Sequence, residues 1–189
     1  TARIADEEND REEFAKVDIK ELLAEEVAAQ GLTAESPGFD MVAFETFIGS
    51  LGLRHFSPRE FLFMGGSNQP GMSCAGKNSP PPMALWVNIA NTARMLDEIR
   101  HRLDAKCTIL SAYRSPAYND CVGGEDNSLH MKYKAIDFTC ASGTPAQWRA
   151  VAQAVRSSSL SFRGGIGMYV SKRFLHIDTR GSDANWQKP

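Results

Sequence analysis

The sequence has no long apolar run, no excess of charge of one sign and no closely spaced pair of cysteines. No apolar stretch approaches the roughly 20 residues of a membrane-spanning helix, so we expect no membrane span. The 21 basic and 23 acidic residues give a formal charge of −2, and this balance predicts no nucleic-acid partner. Residues Thr1–Ile4 do not begin a signal-peptide pattern, which leaves export open at this end of the sequence.

Length and composition favour one globular domain. With 189 residues and 42% hydrophobic content, the chain can bury one sizeable core, whereas two full domains would be cramped. Apolar residues at helical spacing predict amphipathic helices at 6–29 and 40–51. We therefore predict a helical N-terminal extension over residues 1–55 and one folded domain over residues 56–189.

The signals after residue 56 predict an α+β domain. Capping residues followed by proline, at Ser57 and Thr144, are typical of helix starts. Gly, Pro, Ser and Asn dominate residues 65–82, which predicts a long loop, and an apolar stripe predicts a helix at 83–103. Alternating or β-branched runs predict strands at 107–113, 135–139, 166–170 and 174–179. This order of elements favours helices packed on an antiparallel sheet.

The four cysteines lack the short paired spacing of a structural zinc site. Their even number is typical of two disulfides in an oxidising compartment, and four buried free thiols in a cytosolic protein are the alternative. If the runs 107–112 and 135–140 pair antiparallel, Cys107 lies opposite Cys140. That arrangement would leave Cys74 to pair with Cys121.

Two histidines and one aspartate form a candidate metal site. His130 precedes Asp137 by seven residues across a change from loop to strand, and His176 lies on a later strand-like run. Strand alternation turns Asp137 and His176 away from their apolar neighbours, so both face the same kind of surface. A catalytic zinc ion takes three such protein ligands and leaves the fourth position to water. Taken singly, each residue is more often structural than a ligand.

Several motifs then occur in a fixed order: Ser111–Asn119, Val122–Gly124, Ser128-Xaa-His130, Ala135-Xaa-Asp137, Gly164–Gly167, and Phe174–Gly181 followed by Trp186. Together they resemble the zinc D-alanyl-D-alanine carboxypeptidase family, in its murein-endopeptidase-like branch. The resemblance covers roughly residues 83–189. The first 55 or so residues show no such resemblance.

The resemblance implies a hedgehog-like α+β fold with one zinc ion held by His130, Asp137 and His176. It also implies that residues 56–189 form a zinc peptidase domain. Such a domain would cleave bonds next to D-amino acids in peptidoglycan peptides, in the periplasm or outside the cell. The alternative is a protein of the same fold that keeps zinc and binds peptidoglycan without cleaving it. Use as a phage endolysin is a third reading, against which paired cysteines argue.

Two positions depart from the family pattern. The family's Ser-Xaa-His-Xaa-Xaa-Gly motif has Tyr133 in place of Gly, which predicts a bulky ring that reshapes the pocket and contacts substrate. Many members carry an acidic general base three residues before the last zinc histidine, where this chain has Arg173. Asp178 is the nearest substitute on the strand face of His176. It is either the general base or a carboxylate that fixes the tautomer of a zinc-bound histidine.

Arg114 and Ser128 complete the predicted site. Arg114 takes the family's Tyr-Arg position, where its planar fork suits bidentate capture of a carboxylate or of a polarised carbonyl. The alternative is a structural arginine that satisfies loop carbonyls. Ser128 either hydrogen-bonds substrate or caps the loop. We therefore predict Arg114 and Asp178 as catalytic residues and Arg114, Ser128 and Tyr133 as substrate contacts.

Overall fold

The computed structural model of the chain describes residues 38–189, so the helix predicted at 6–29 lies outside the described residues. Four α-helices occur in this part of the chain: α1 Met41–Ser50, α2 Ala90–Leu103, α3 Pro116–Cys121 and α4 Pro145–Ser157. Short 3₁₀ helices occupy Pro58–Leu62, Gly66–Asn68, Met83–Ile89 and Leu160–Phe162. From residue 38 onwards, no helix combines the length and the apolar character needed to cross a membrane.

The five strands form one mixed sheet. They are β1 Cys107–Ser111, β2 Ala135–Cys140, β3 Gly165–Tyr169, β4 Phe174–Asp178 and β5 Ala184–Lys188. Their order across the sheet is β1-β2-β4-β3-β5, and neighbours are antiparallel except for β3 and β5, which are parallel. The structure confirms the α+β class, and it adds a parallel edge strand to the antiparallel sheet that the sequence predicted.

Helices α2 and α4 pack against each other and cover one face of the sheet. The strand residues beneath them are apolar and almost completely buried: Ile136, Phe138, Ile166, Met168, Leu175 and Ile177. Because side chains alternate along a strand, the residues between these point to the opposite face. That opposite face carries Asp137 and His176, so the apolar half of each strand anchors the polar half in place.

Helix α1 begins where the Asp40 carboxylate accepts a hydrogen bond from the backbone N–H of Ala43, at 2.9 Å. Its rings Phe44 and Phe47 pack on Trp86, with ring centroids 5.1 and 6.1 Å away. The predicted division into residues 1–55 and 56–189 stays a prediction.

The single helix predicted at 83–103 is wrong in its first part. Met83–Ile89 forms a 3₁₀ helix, and the α-helix α2 begins only at Ala90.

The long loop at 65–82 is tied down at two places. A disulfide joins Cys74 to Cys121 at the end of α3, which confirms the predicted pairing. The Asn78 side chain donates to the carbonyl of Tyr113 at 3.1 Å and accepts from the backbone N–H of Ser115 at 2.8 Å. These two bonds flank Arg114, so the loop fixes the backbone on both sides of that residue.

Cys107 and Cys140 lie opposite each other on β1 and β2, as the antiparallel register predicted. They are nevertheless buried thiols and not a disulfide, which corrects the expectation of two disulfides. The Cys107 thiol donates to the backbone carbonyl of Ala105 at 3.7 Å, and the neighbouring Cys140 thiol lowers the pKa of Cys107. The described chain therefore combines one disulfide with one pair of adjacent thiols.

Candidate metal site and cleft

The candidate site lies on one row of residues that crosses the whole sheet. A register shift in β1 sets Ser111 opposite Asp137, and Asp137 is paired with His176 on β4. His176 is in turn opposite Gly167 on β3, which is opposite Trp186 on β5. One row of the pleated sheet thus supplies two of the three predicted metal ligands.

The loop before β2 brings the third predicted ligand to this row. His130 Nε2 lies 3.2 Å from Asp137 Oδ1 and 3.2 Å from His176 Nδ1, and the last two atoms are 2.9 Å apart. All three side chains are buried, and they form the only group of this kind found among residues 38–189. The three residues therefore meet at one point, as the sequence predicted.

The outer ring nitrogens of both histidines have acceptors. His130 Nδ1 lies 2.8 Å from the backbone carbonyl of Ala112, and His176 Nε2 lies 3.1 Å from Asp178 Oδ2. Each outer nitrogen therefore donates its N–H, which leaves a lone pair on each inner nitrogen directed at the cluster. Such outer partners are typical of metal-binding histidines. Two imidazole nitrogens and one carboxylate oxygen fit zinc better than magnesium or calcium, which prefer oxygen ligands.

The charges of the cluster favour cation binding. Burial alone would raise the pKa of Asp137, but His130 and His176 hold that pKa well below its usual range. Burial lowers the pKa of His130, which keeps this imidazole neutral. Burial acts in the same direction on His176, but the carboxylates of Asp137 and Asp178 outweigh it and raise the pKa. One permanent negative charge thus sits between two rings that can present lone pairs.

Asp178 lies behind His176 and not inside the cluster. This carboxylate is completely buried, and it accepts hydrogen bonds from Gly165 N at 3.0 Å and from Arg180 Nε and Nη2 at 2.8 and 2.6 Å. Its oxygens are therefore occupied, and its contact with the site runs through the outer nitrogen of His176. The geometry favours the tautomer-fixing role over the general-base role that the sequence left open.

Arg114 and Ser128 both line the cleft, but each also has a partner inside the protein. Arg114 donates through Nη2 to Asp137 Oδ2 and through Nε to Ser111 Oγ. It thereby holds the Asp137 oxygen that does not face the histidines. The Ser128 hydroxyl oxygen accepts from the backbone N–H of His130 at 3.3 Å, which is a loop-capping contact. Its hydroxyl hydrogen remains free for a ligand.

Trp186 forms a wall of the site because the residue beneath its ring, Gly167, has no side chain. A Cβ at Gly167 would clash with the Trp186 indole, so only glycine lets this ring lie across the strand. The indole comes within 5.2 Å of the His176 ring, measured between centroids. Trp186 therefore limits the space on one side of the cluster.

A cleft of about 1080 Å³ opens above the cluster. One wall comes from the sheet and includes Tyr169, Phe174 and Trp186, and the other comes from the loop at 122–129. This volume is slightly above the usual range for small-molecule sites, roughly 300–1,000 Å³, and has room for a short peptide. The cluster thus lies at the floor of a cleft that a peptide can enter.

Tyr133 does not line this cleft, which corrects its prediction as a substrate contact. The ring is fully buried and packs edge-on against Tyr113, and its hydroxyl donates to the carbonyl of Phe61 at 3.4 Å. Its φ of 53° lies in the left-handed region, which explains why the family has glycine at this position. The left-handed backbone at Tyr133 turns its ring into the core and away from the cluster.

We expect Tyr133→Ala to lower the free energy of unfolding by about 3–5 kcal/mol, because it empties a large buried site. Tyr133→Phe is the matched control, since it keeps the ring and loses one hydrogen bond, worth about 1 kcal/mol. Denaturant unfolding of both variants measures the difference. Equal stability of the two variants would contradict this account of the ring. Altered substrate affinity in Tyr133→Phe would mean that Tyr133 contacts substrate.

The structure also identifies two residues that the sequence interpretation missed. Arg180 lines the cleft and makes a bidentate ion pair with Asp178. Its signal was its place two residues after Asp178 inside a motif already singled out. Glu125 lines the opposite wall, and its position directly after Gly123-Gly124 was the only signal for it.

Comparison with known proteins places the chain among the peptidases. A family model described as Peptidase M15 matches residues 54–178, more than half of the chain. The chain therefore belongs to the Peptidase M15 family. This result confirms the resemblance to zinc peptidases that the ordered motifs indicated.

The chain is also similar to a curated protein of Haemophilus influenzae named "Probable peptidoglycan L,D-endopeptidase MepK". The two are 37% identical over 90 residues, which make up 44% of this chain and 44% of the relative. The match thus spans less than half of the relative's length. It is a similarity between parts of the two proteins.

Proposed function

We propose that the protein is a zinc-dependent peptidase that cleaves bonds next to D-amino acids in peptidoglycan peptides. The observation that carries this proposal is the convergence of His130, Asp137 and His176 on one point at the floor of a peptide-sized cleft. The family assignment supports the peptidase class. The relative's name supports peptidoglycan as the substrate and favours an endopeptidase over a carboxypeptidase.

A location in the periplasm or outside the cell belongs to the same proposal. The Cys74–Cys121 disulfide supports it, because disulfides persist in oxidising compartments. Peptidoglycan lies in those compartments as well. Buried thiols such as Cys107 and Cys140 occur in both reducing and oxidising compartments, so they do not bear on the location.

In this proposal, each polar residue of the site has one task. His130, Asp137 and His176 hold the zinc ion, whose chemistry is to polarise the scissile carbonyl and to acidify a water molecule. Ala112 and Asp178 keep the two imidazoles in the tautomers that present lone pairs. Arg114 orients Asp137 through its hydrogen bond to Oδ2, and Ser128 offers a hydroxyl to the peptide.

Proton transfer needs a side chain, here a carboxylate, that is neither a metal ligand nor part of a buried ion pair. Among the described residues that line the cleft, Asp137 and Glu125 are the carboxylates, and Asp137 belongs to the cluster. The proposal therefore assigns proton transfer to Glu125. Arg173 takes no part, because its guanidinium reaches the carbonyl of Gly143 and lies over the ring of Trp148, outside the cleft.

A second candidate function is a zinc-containing protein that binds peptidoglycan without cleaving it. The observation that favours it is Arg173 at the position where many family members have their acidic base. Glu125 is then a surface carboxylate, consistent with its 88% exposed side chain. The two functions share the fold and the metal, and they differ only in turnover.

Incubation with cross-linked muropeptides and with linear stem peptides tests the proposal. We expect cleavage of a bond next to a D-amino acid, detected by mass spectrometry of the products. A chelator should abolish the cleavage and added zinc should restore it, because the ligands are retained in the metal-free chain. Tight zinc binding with no cleavage of any peptide would leave the binding function and reject the peptidase.

A further inference from the structure

The cleft has a charge opposite to that of the whole chain. Among the described residues that line it, four are cationic and two are carboxylates: Arg114, Lys172, Arg180 and Lys188 against Glu125 and Asp137. The complete chain carries a formal charge of −2. A cationic cleft on an acidic protein concentrates anionic ligands.

Two of these cations are already engaged by internal carboxylates. Arg114 pairs with Asp137, and Arg180 pairs with Asp178 in a bidentate contact. Their charges are therefore largely neutralised within the site. Any attraction for an anionic ligand must come mainly from the other two cations, which are lysines.

Lys172 and Lys188 are available to a ligand. Lys172 lies exposed in the turn between β3 and β4, and no carboxylate among residues 38–189 comes within ion-pair distance of it. Lys188 has one carboxylate nearby, Glu125 at 3.8 Å, and both side chains of this pair are more than half exposed. Exposed pairs of this kind are weak, so a ligand can replace Glu125.

The sheet register gives the distance of Lys188 from the cluster. Lys188 is paired with Tyr169, and Tyr169 is paired with Phe174, which stacks on it at 4.2 Å between centroids. This row lies two residues along the strands from the row that contains His176. Two residues of extended chain span about 6.6 Å. Lys172 lies farther along the same direction, in the turn before β4 begins.

An extended peptide over the cleft advances by the same distance for every two residues. With its scissile bond at the cluster, its backbone would cross the Tyr169 and Phe174 rings. A side group two residues away would then lie near Lys188 and Lys172. A carboxylate is the group that two free ammonium ions at this place would select.

We infer that Lys172 and Lys188 bind a free carboxylate of an acidic peptide about two residues from the scissile bond. The inference rests on the proposed peptidase function and names the chemistry of its substrate. It makes the two lysines specificity-determining residues and gives them no part in bond cleavage. Replacing the peptide's carboxylate with a carboxamide should therefore weaken recognition and leave the chemical step unchanged.

The test uses two stem peptides that differ only in having free carboxylates or carboxamides at their side positions. For the parent we expect kcat/KM to be about tenfold higher for the carboxylate peptide, through KM and not kcat. In the double variant Lys172→Gln, Lys188→Gln, this preference should fall to about twofold or less. Lys106→Gln removes an exposed lysine outside the cleft and should keep the full preference.

Each outcome has one meaning. A parent that cleaves both peptides equally well, or a double variant that keeps the preference, overturns the inference and leaves the peptidase proposal standing. If neither peptide is cleaved, the peptidase proposal fails, and the same pair is compared by equilibrium binding. A carboxylate preference in binding that depends on both lysines would then uphold the inference, and equal binding would overturn it.

Discussion

Replacing Asp137 with Asn should lower kcat/KM by about three orders of magnitude. Asp137 is the only anionic member of the cluster and lies within 3.2 Å of both histidine ligand atoms. The amide keeps the size of the side chain but removes the charge that attracts a cation. A catalytic metal contributes several kcal/mol of transition-state stabilisation, and each 1.36 kcal/mol is about a factor of ten in rate.

Asp183→Asn is the matched control for this variant. Asp183 is a partly exposed carboxylate near Arg163, and it does not line the cleft. We expect parent-like metal content and activity for the control, and less than about one-tenth of the parent's metal for Asp137→Asn. Circular dichroism confirms that both variants fold. Parent-like turnover by a folded Asp137→Asn protein would mean that the cluster is not the catalytic centre.

Replacing Asp178 with Asn should reduce metal affinity by about 10–100-fold, the usual effect of removing an outer partner of a metal ligand. The amide can no longer hold the His176 tautomer as a carboxylate does, and it loses the charge that Arg180 faces. Because the defect lies in metal binding, excess zinc should restore most of the activity. Competition with a chromophoric chelator measures the affinity.

Glu125→Gln is the informative comparison for the Asp178 variant. A general base contributes about 10²–10⁴-fold to the rate, so kcat should fall by that factor while metal affinity stays at the parent value. The opposite pattern, with the kcat loss in Asp178→Asn at saturating metal and none in Glu125→Gln, would give Asp178 the role of general base. If Glu125 is the general base, the kcat defect appears in Glu125→Gln. If Asp178 is the general base, it appears in Asp178→Asn.

The sequence predicted the ligand cluster because its signals were local and reinforced each other. Strand alternation placed Asp137 and His176 on one face, and the structure pairs them directly across β2 and β4. The ordered motifs added His130, which a turn and not a strand brings into position. The α+β class followed from the same strand pattern. The Cys74–Cys121 pairing is correct, but it was reached by elimination from a Cys107–Cys140 disulfide that the structure does not contain.

The elements that the sequence did not predict had ambiguous or weak signals. The sequence predicted a strand at 107–113 and no helix directly after it, yet Ser115 caps helix α3 by accepting from the backbone N–H of Tyr118. This is the same signal that marked Ser57 and Thr144. Strand β5 has one apolar residue of note, Trp186, and an edge strand of this composition has no alternating pattern to detect.

Tyr133 and Asp178 show a different limit of sequence interpretation. Sequence spacing places a residue near a site, but it does not give the direction of a side chain in a loop. The left-handed backbone at Tyr133 turns its ring into the core. The hydrogen bonds from Gly165 and Arg180 to Asp178 depend on strand pairing and on a side-chain conformation that no local pattern encodes.

The most direct test of the central claim is anomalous X-ray scattering at the zinc edge from crystals of the protein as purified. The claim is that three side chains hold one ion at the floor of the cleft. We expect one peak per chain, about 2.0–2.2 Å from His130 Nε2, Asp137 Oδ1 and His176 Nδ1. Crystals soaked in zinc that show no peak at this point, or a peak only elsewhere, would contradict the claim.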